Sequence, residues 1–544
     1  MRGAAFAMFM GFAKLASAAP AVVTTDVTET RACLPLPGGG ALLGTAGGLA
    51  LAGANGEVGA VFTAVDGLPG TRIDAIVPAG DALWIATDAG AARVTLRGEA
   101  LTIGRKVDGA VRDVAQLGAT MYFATPAGVR AGAKTLPLKG GAVALAVAGG
   151  ALYAGAPGGL YQLVDGKLAR ISGIAAVTAL YDDGEALWIG SPDGLRVRRG
   201  GQLEPIGGGE IVRIGRLDDA IVAVELGEGL VRVDRGRLAR IASPRGLVMT
   251  LAAQGSDACA GGLDGAWLRA PRSMTGWTAV AKRQAPPSND ISALASDGDA
   301  LYAGTFDHGL AVRRRGAWRT IAGIDRRINA LYIDRAHRVW AATASGLYSY
   351  DGKVVTRMSQ DDGLPTRSVL AVAGTRDGRL LVGTSRGAVA IANGRVERLG
   401  PKDTAIGNVW AFAETPDGAL WLGTTTGLYR SAGDAWQRFA MATGQLRDDW
   451  VTALAVRDGA VFAGTYHGGI TKLDKELAAT QVADGWINPG GLTFDGDRLL
   501  AATMDGLYAG TAAIGPLPGK DTTATLRVGG ALVVATRRGL VELP

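Results

Sequence analysis

Residues Ala419–Arg430 read ALWLGTTTGLYR. Large apolar residues alternate with small or polar ones over Leu420–Thr424 and again over Leu428–Arg430, the period of a strand with one buried face. Thr425-Thr426-Gly427 between them is a tight turn, and its glycine supplies the positive φ that such a hairpin needs. The same hairpin returns at Ala82 (ALWIATDAGAARV), Ala186 (ALWIGSPDGLRV), Ala300 (ALYAGTFDHGLAV), Val339 (VWAATASGLYSY), Val461 (VFAGTYHGGITKL) and Leu499 (LLAATMDGLYAG).

The last residue of the first hairpin strand serves as an anchor for each copy. The anchors are Thr45, Thr87, Thr125, Gly155, Ser191, Glu225, Gly262, Thr305, Thr343, Thr384, Thr424, Thr465, Thr503 and Thr536. They recur about every 38 residues, a period that marks a repeat architecture. Each is followed three or four residues later by a glycine. Each hairpin also has a strand before it and, in most copies, one after it; in the twelfth copy Val451–Val456 comes first, then Arg457-Asp458-Gly459, then the hairpin.

Four short antiparallel strands per copy predict β-propeller blades. Helical solenoids are disfavoured, because the apolar period is two and glycine accounts for 83 of 544 residues. Fourteen blades in one ring would enclose a wide hole, so the expected fold is all-β, two tandem seven-bladed β-propellers with four-stranded antiparallel blades. Gln284-Ala285-Pro286-Pro287-Ser288 reads as the linker, since paired prolines break a ladder. The expected division is a leader at 1–18, a first propeller at 19–283 and a second at 284–544. The fourteenth copy stops at Leu543-Pro544 without an outer strand. Ala21–Thr25 could complete it or could serve the first ring.

The chain is 48% hydrophobic and 19% charged, which is globular, and its net charge is +6. Its arginines are scattered rather than gathered in a stripe, so no nucleic-acid partner is expected. The start, MRGAAFAMFMGFAKLASAAP, has a basic residue, an apolar core at Ala4–Ala13 and the small-residue site Ala16-Ser17-Ala18, the pattern of a secretory signal peptide. No other window approaches 18 uncharged apolar residues, so no transmembrane helix is expected in the mature chain. The expected location is periplasmic or secreted. The chain's two cysteines, Cys33 in the first blade and Cys259 in the seventh, become neighbours where a seven-blade ring closes. They could form a disulfide in an oxidising compartment or be small buried residues.

Phe62–Ile73 (FTAVDGLPGTRI) and Arg357–Val369 (RMSQDDGLPTRSV) share Asp-Gly-Leu-Pro, a turn linking the outer strand of one blade to the inner strand of the next. Together with the LWIG/LWLGT-x-x-GLY hairpin, this turn resembles two-component regulator propeller repeats, over nearly all of the mature chain. The resemblance implies an extracytoplasmic sensor fold of two tandem rings and a ligand-sensing or binding role, with a carbohydrate fragment as a frequent ligand. Members of that family often continue into a β-sandwich, a membrane helix and a histidine kinase. None follows before Pro544, so binding is expected rather than direct signalling.

The hairpin tips and the blade connections open on one ring face. In the first ring they carry small residues such as Ala46-Gly47, Asp88-Ala89 and Leu263-Asp264. In the second they carry Phe306, Asp307, His308, Arg367, Arg386, Trp410, Asp449, Trp450, Tyr466, His467, Trp486 and Arg538. Aromatic faces beside directional polar groups suit a small-molecule or carbohydrate ligand, or an envelope protein partner; alternatively the tryptophans pack inward between blades.

His308 and His467 occupy equivalent turns. A divalent metal would need a third ligand such as Asp307 or Asp449, as in propellers of the streptogramin-lyase type, and a metal-dependent lyase or hydrolase is the alternative function. A structural or adhesive surface role is a further alternative. No Walker loop, G-x-S-x-G, H-E-x-x-H or C-x-x-C occurs, and no cofactor is expected.

Overall fold

The stretch quoted above forms antiparallel strands Leu420–Thr424 and Gly427–Ala432, and Gly427 has φ 120°. The anchor threonine closes this turn from inside: Thr424 Oγ1 donates to Gly427 O at 2.8 Å. The same bond recurs at every anchor that is Thr or Ser, for example Thr45 to Gly48, Ser191 to Gly194 and Thr536 to Gly539. A buried hydroxyl without a partner would be costly, so the hydroxyl and the turn select each other. The preceding glycine has a different cause. A Cβ on Gly423 would lie 2.9 Å from Val451 Cγ1 in the next blade, so glycine sets how closely blades approach.

The computed structural model describes residues 21–255, 257–269, 276–433 and 435–544; the leader expected over residues 1–18 lies outside them. The described residues form fourteen four-stranded antiparallel sheets. Numbered in chain order, they are blades 1 to 14. Successive inner strands pack on one another from Thr30–Pro35 of blade 1 to Val248–Gln254 of blade 7, and Thr30–Pro35 packs back on Val248–Gln254 and Asp257–Gly262. A second closed series runs from Ile291–Asp297 of blade 8 to Thr522–Val528 of blade 14, which again meets Ile291–Asp297. The core lies between blades. Trp421 and Phe439 of blade 11, stacked at 5.5 Å, pack with Val451, Val461 and Leu473 of blade 12.

The two rings close differently. Blade 14 takes its fourth strand from the start of the chain: Val22–Thr24 pairs antiparallel with Gly539–Leu543, Val23 opposite Val541. That decides the alternative left open by the sequence. Blades 1 and 7 are each built from consecutive strands, and their seam is joined by the Cys33–Cys259 disulfide, with Cα atoms 6.1 Å apart.

The Asp-Gly-Leu-Pro segments form short 3-10 turns at Ala64–Asp66 and Gln360–Asp362, each ended by a glycine at φ 96° and followed by a buried leucine, Leu68 or Leu364. A third such turn, Met441–Thr443 with Gly444 and buried Leu446, has no Asp-Gly-Leu-Pro in its sequence. Among the described residues no helix is long and apolar enough to cross a membrane.

Candidate functional site

In most blades the inner strand is preceded by a residue whose carbonyl accepts from the hairpin tip of the same blade. Phe306 N donates to Asp290 O, Thr425 N to Asn408 O, Tyr466 N to Trp450 O and Arg537 N to Asp521 O, at 2.9–3.0 Å. The repeat thus pairs a tip side chain with a connection side chain on the top face, and the residue types at these pairs decide what the face can hold.

Blades 11 to 13 carry an aromatic row. Trp450 and Tyr466 stack at 4.4 Å with 24° between planes, Tyr466 and Trp486 at 5.9 Å with 15°, and Trp410 leans on Trp450 at 6.0 Å. His467 meets Tyr466 and Trp486 edge-on at 4.6 and 5.1 Å. The two faces of Tyr466 are therefore taken by its neighbours, whereas Trp486 is 46% exposed. Trp410 and Trp450 are half-buried. Their indole Nε1 atoms are buried with no hydrogen-bond partner.

Asp448 holds the row in place. One carboxylate oxygen accepts from Trp450 N at 3.1 Å and the other from His467 N at 2.8 Å. Asp449 turns away. It accepts from Met441 N at 2.8 Å and lies 3.8 Å from Arg438, so it orders the 3-10 turn instead of facing a ligand.

Around the mouth of the second ring's channel, a polar residue at the start of one inner strand donates to the first carbonyl of the next. Ser292 reaches Ile328 O at 2.6 Å. Asn329 reaches Val369 O, Thr452 reaches Ile487 O, Asn488 reaches Thr522 O and Thr523 reaches Ile291 O, each at 2.7 Å. Leu370 and Trp410 hold the two remaining equivalent positions, at the register shifts after Val369 and Val409. No side chain among the described residues donates to Val409 O or Val451 O. The belt of donors is thus interrupted beside the aromatic row; Ser368, Ser385, Asn408 and Thr425, at the connections and hairpin tips of blades 10 and 11, are all partly exposed.

Phe306, Asp307, His308 and Arg538 have another fate. Phe306 lies between two guanidinium groups, Arg537 at 4.3 Å and Arg327 at 4.5 Å. Arg537 bonds Asp290 at 2.8 Å. Burial pushes the Asp290 carboxyl up from its ordinary range, against the pull of Arg537. Arg538 crosses to the first ring and pairs with Asp88 at 2.7 Å. Asn289 and Asp26, on the two segments that pass between rings, exchange a pair of 2.7 Å hydrogen bonds. Cavities of about 750 and 850 Å³ lie along this seam, the larger bordered by Asp307 and His308. These four residues belong to the junction of the rings. Arg367 and Arg386, on blade 10, are exposed, and neither side chain has a partner among the described residues.

The convergence of His308, His467 and a carboxylate that a metal would require is not present. His308 pairs with its neighbour Asp307 at 3.0 Å at the seam, and His467 packs in the row. No group of three His, Cys, Asp or Glu side chains with metal-holding geometry occurs among the described residues. Sequence reasoning also passed over Tyr508. It sits in the repeated Gly-Leu-Tyr of the third strand, like Tyr348 and Tyr429. Those two are buried and lie within hydrogen-bond distance of Ser345 and Thr426. Tyr508 is part-exposed, beside an outer strand of only three residues, Ala512–Ile514.

Residues 405–426, which span the start of blade 11 and its first hairpin, match the two component regulator propeller family. Among solved structures the chain is similar to PorZ, described as an essential bacterial surface component of the type-IX secretion system of Porphyromonas gingivalis. They share 15% identity over 96% of this chain and 87% of that one, with TM-score 0.70. It is also similar to the extracellular domain of the putative hybrid two component system BT3049 from B. thetaiotaomicron, at 15% identity over 95% and 81% of the chains and TM-score 0.41. For the extracellular domain of the putative one component system BT4673 from the same organism the values are 17%, 97%, 81% and 0.40. No curated protein matches the chain.

Proposed function

We propose, for a chain built of two-component regulator propeller repeats, an exported binding module rather than an enzyme, whose ligand lies on the open face of the second ring beside the aromatic row. The observation that carries this reading is the row itself: four rings from three successive blades, fixed by Asp448, next to an interrupted belt of hydrogen-bond donors. The two rings act as separate domains divided near 283/284, with the strand Val22–Thr24 lent to the second. A disulfide at the closure of the first ring is in keeping with export, since such bonds persist in oxidising compartments.

The chemistry of the face favours a carbohydrate. An indole ring takes the C–H face of a sugar, and the sugar's hydroxyls both donate and accept. Val409 O and Val451 O accept from no side chain among the described residues, and the partly exposed hydroxyls of Ser368, Ser385 and Thr425 can donate or accept.

Thermal shift and calorimetric titration of the mature protein against a panel of neutral oligosaccharides test this, because binding to the folded state raises its melting point. A shift with one sugar class, lost in Trp410→Ala and Trp450→Ala, is expected. No shift across the panel, or unchanged binding in both variants, would sink the carbohydrate reading and leave an envelope protein as the partner to trap by crosslinking.

A further inference from the structure

Stacking covers the inner face of Trp486, and its exposed part borders a second space. A cavity of about 740 Å³ lies between blades 12 and 13, lined by Trp486, Tyr508, Met504, Val482, Asp484 and Asp505 among others. Blade 13 is short on its outer side there, with third and fourth strands of four and three residues. Val482, like Trp486, is 46% exposed there.

The polar lining of this cleft is one-sided. Its only charged side chains are the two aspartates, in a chain of net charge +6, and it contains no Lys, Arg, His, Asn or Gln. Asp484 pairs outward with Arg447 at 2.6 Å, a bond between groups 81% and 59% exposed. The Asp505 carboxylate has no partner among the described residues; only its backbone N–H is used, donating to Thr503 Oγ1 at 3.1 Å. That hydroxyl is spent, since it also donates to Gly506 O at 2.9 Å. The hydroxyls left over, on Tyr508 and Thr511, can accept as readily as donate.

A sugar needs donors as well as acceptors from its site. Aromatic faces with carboxylates and no cationic or amide donor suit a ligand that carries positive charge and accepts nothing.

We propose that this cleft binds a small organic ammonium, seated on the outer face of Trp486 with its charge turned toward Asp505. The site is distinct from the channel-mouth face: it uses the opposite side of Trp486 and none of Trp410, Trp450, Ser368, Ser385, Asn408 or Thr425. It stands or falls independently of the carbohydrate reading.

The test is calorimetric titration and tryptophan-fluorescence quenching of the whole protein with choline. The uncharged isostere 3,3-dimethyl-1-butanol and a short lysine-rich peptide serve as comparisons. Saturable choline binding is expected, with the isostere at least about tenfold weaker, equivalent to about 1.4 kcal/mol. Trp486→Ala should abolish binding, and Asp505→Asn should weaken it about tenfold, with unchanged melting curves because both side chains lie at the surface. Trp410→Ala should leave choline binding intact while removing any sugar response. Equal binding of choline and the isostere, loss in Trp410→Ala but not in Asp505→Asn, or saturation by the peptide alone would overturn the proposal.

Discussion

Replacing Cys33 and Cys259 together by alanine removes the one covalent tie across the closure of the first ring. The bond joins residues 226 apart in sequence. Chain-entropy loss for a loop of that length is about 18 cal/mol/K, or about 5 kcal/mol at 25 °C, against a usual measured range of about 2–4 kcal/mol. Both cysteines are buried, in a cluster with Leu43 and Leu268, so the variant also loses some packing. A total of about 3–5 kcal/mol follows, and for a unit of this size that is roughly 6–20 °C in melting temperature. Differential scanning calorimetry of oxidised, reduced and variant protein measures it. The transition of the first ring should fall by this amount on reduction or substitution, while that of the second, closed by its own strand exchange, moves far less. If the oxidised protein and the variant melt within a degree of each other, the packing of blade 1 on blade 7 suffices and the argument fails. Two free thiols in unfolded, unreduced protein would remove its premise.

Deleting residues 21–25 should act the other way round, lowering the second ring's transition and leaving the first, because Gly539–Leu543 would lose its partner strand; equal effects on both transitions would refute this. Gly423→Ala sets a methyl 2.9 Å from Val451 Cγ1 and 3.3 Å from Val451 O, and overpacking of that kind costs about 1–3 kcal/mol, readable as a lower urea midpoint. Asp495, held by Arg527 and Arg498 at 2.6 and 2.8 Å, has its carboxyl drawn down to about 2. Its contribution is therefore complete above the unfolded value near 3.9 and is lost as pH falls through about 2. Because Arg527 and Arg498 are 44% and 58% exposed, screening limits it to about 1 kcal/mol. Asp495→Asn should cost that much at pH 7, progressively less as pH falls below about 3.9, and nothing only below about pH 2; a difference that does not change with pH would contradict the assignment.

The blade was legible because its rules are local. A period of two, a turn glycine and a fixed anchor are all visible within a dozen residues, and each proved to have a separate cause: the Thr424 hydroxyl caps the turn and Gly423 admits the next blade. The owner of the strand Val22–Thr24 was not legible. It pairs with residues more than 500 positions away, and an isolated apolar triplet carries no address. The Met441–Thr443 turn was missed for a related reason. Its geometry needs a glycine and a buried leucine, whereas Asp-Gly-Leu-Pro is only one way of writing that.

The candidate site divided along a line that sequence could not draw. Tip positions are equivalent within a ring, so Phe306 and Tyr466 read alike, and His308 reads like His467. What separates them is the placement of the first ring. It meets the second at blades 14 and 8, where Arg538 reaches Asp88 and Asn289 reaches Asp26. There an aromatic ring flanked by guanidinium groups and carboxylates serves a junction. Four blades round the same ring, nothing among the described residues covers the face, and the aromatic side chains are stacked on one another rather than neutralised by ion pairs. A junction needs its charges matched, and Arg537 with Asp290 and Arg538 with Asp88 are matched. A binding face must keep groups unmatched until its ligand arrives. The exposed part of Trp486, the carbonyls of Val409 and Val451 that no described side chain meets, and the lone carboxylate of Asp505 all lie within blades 11 to 13.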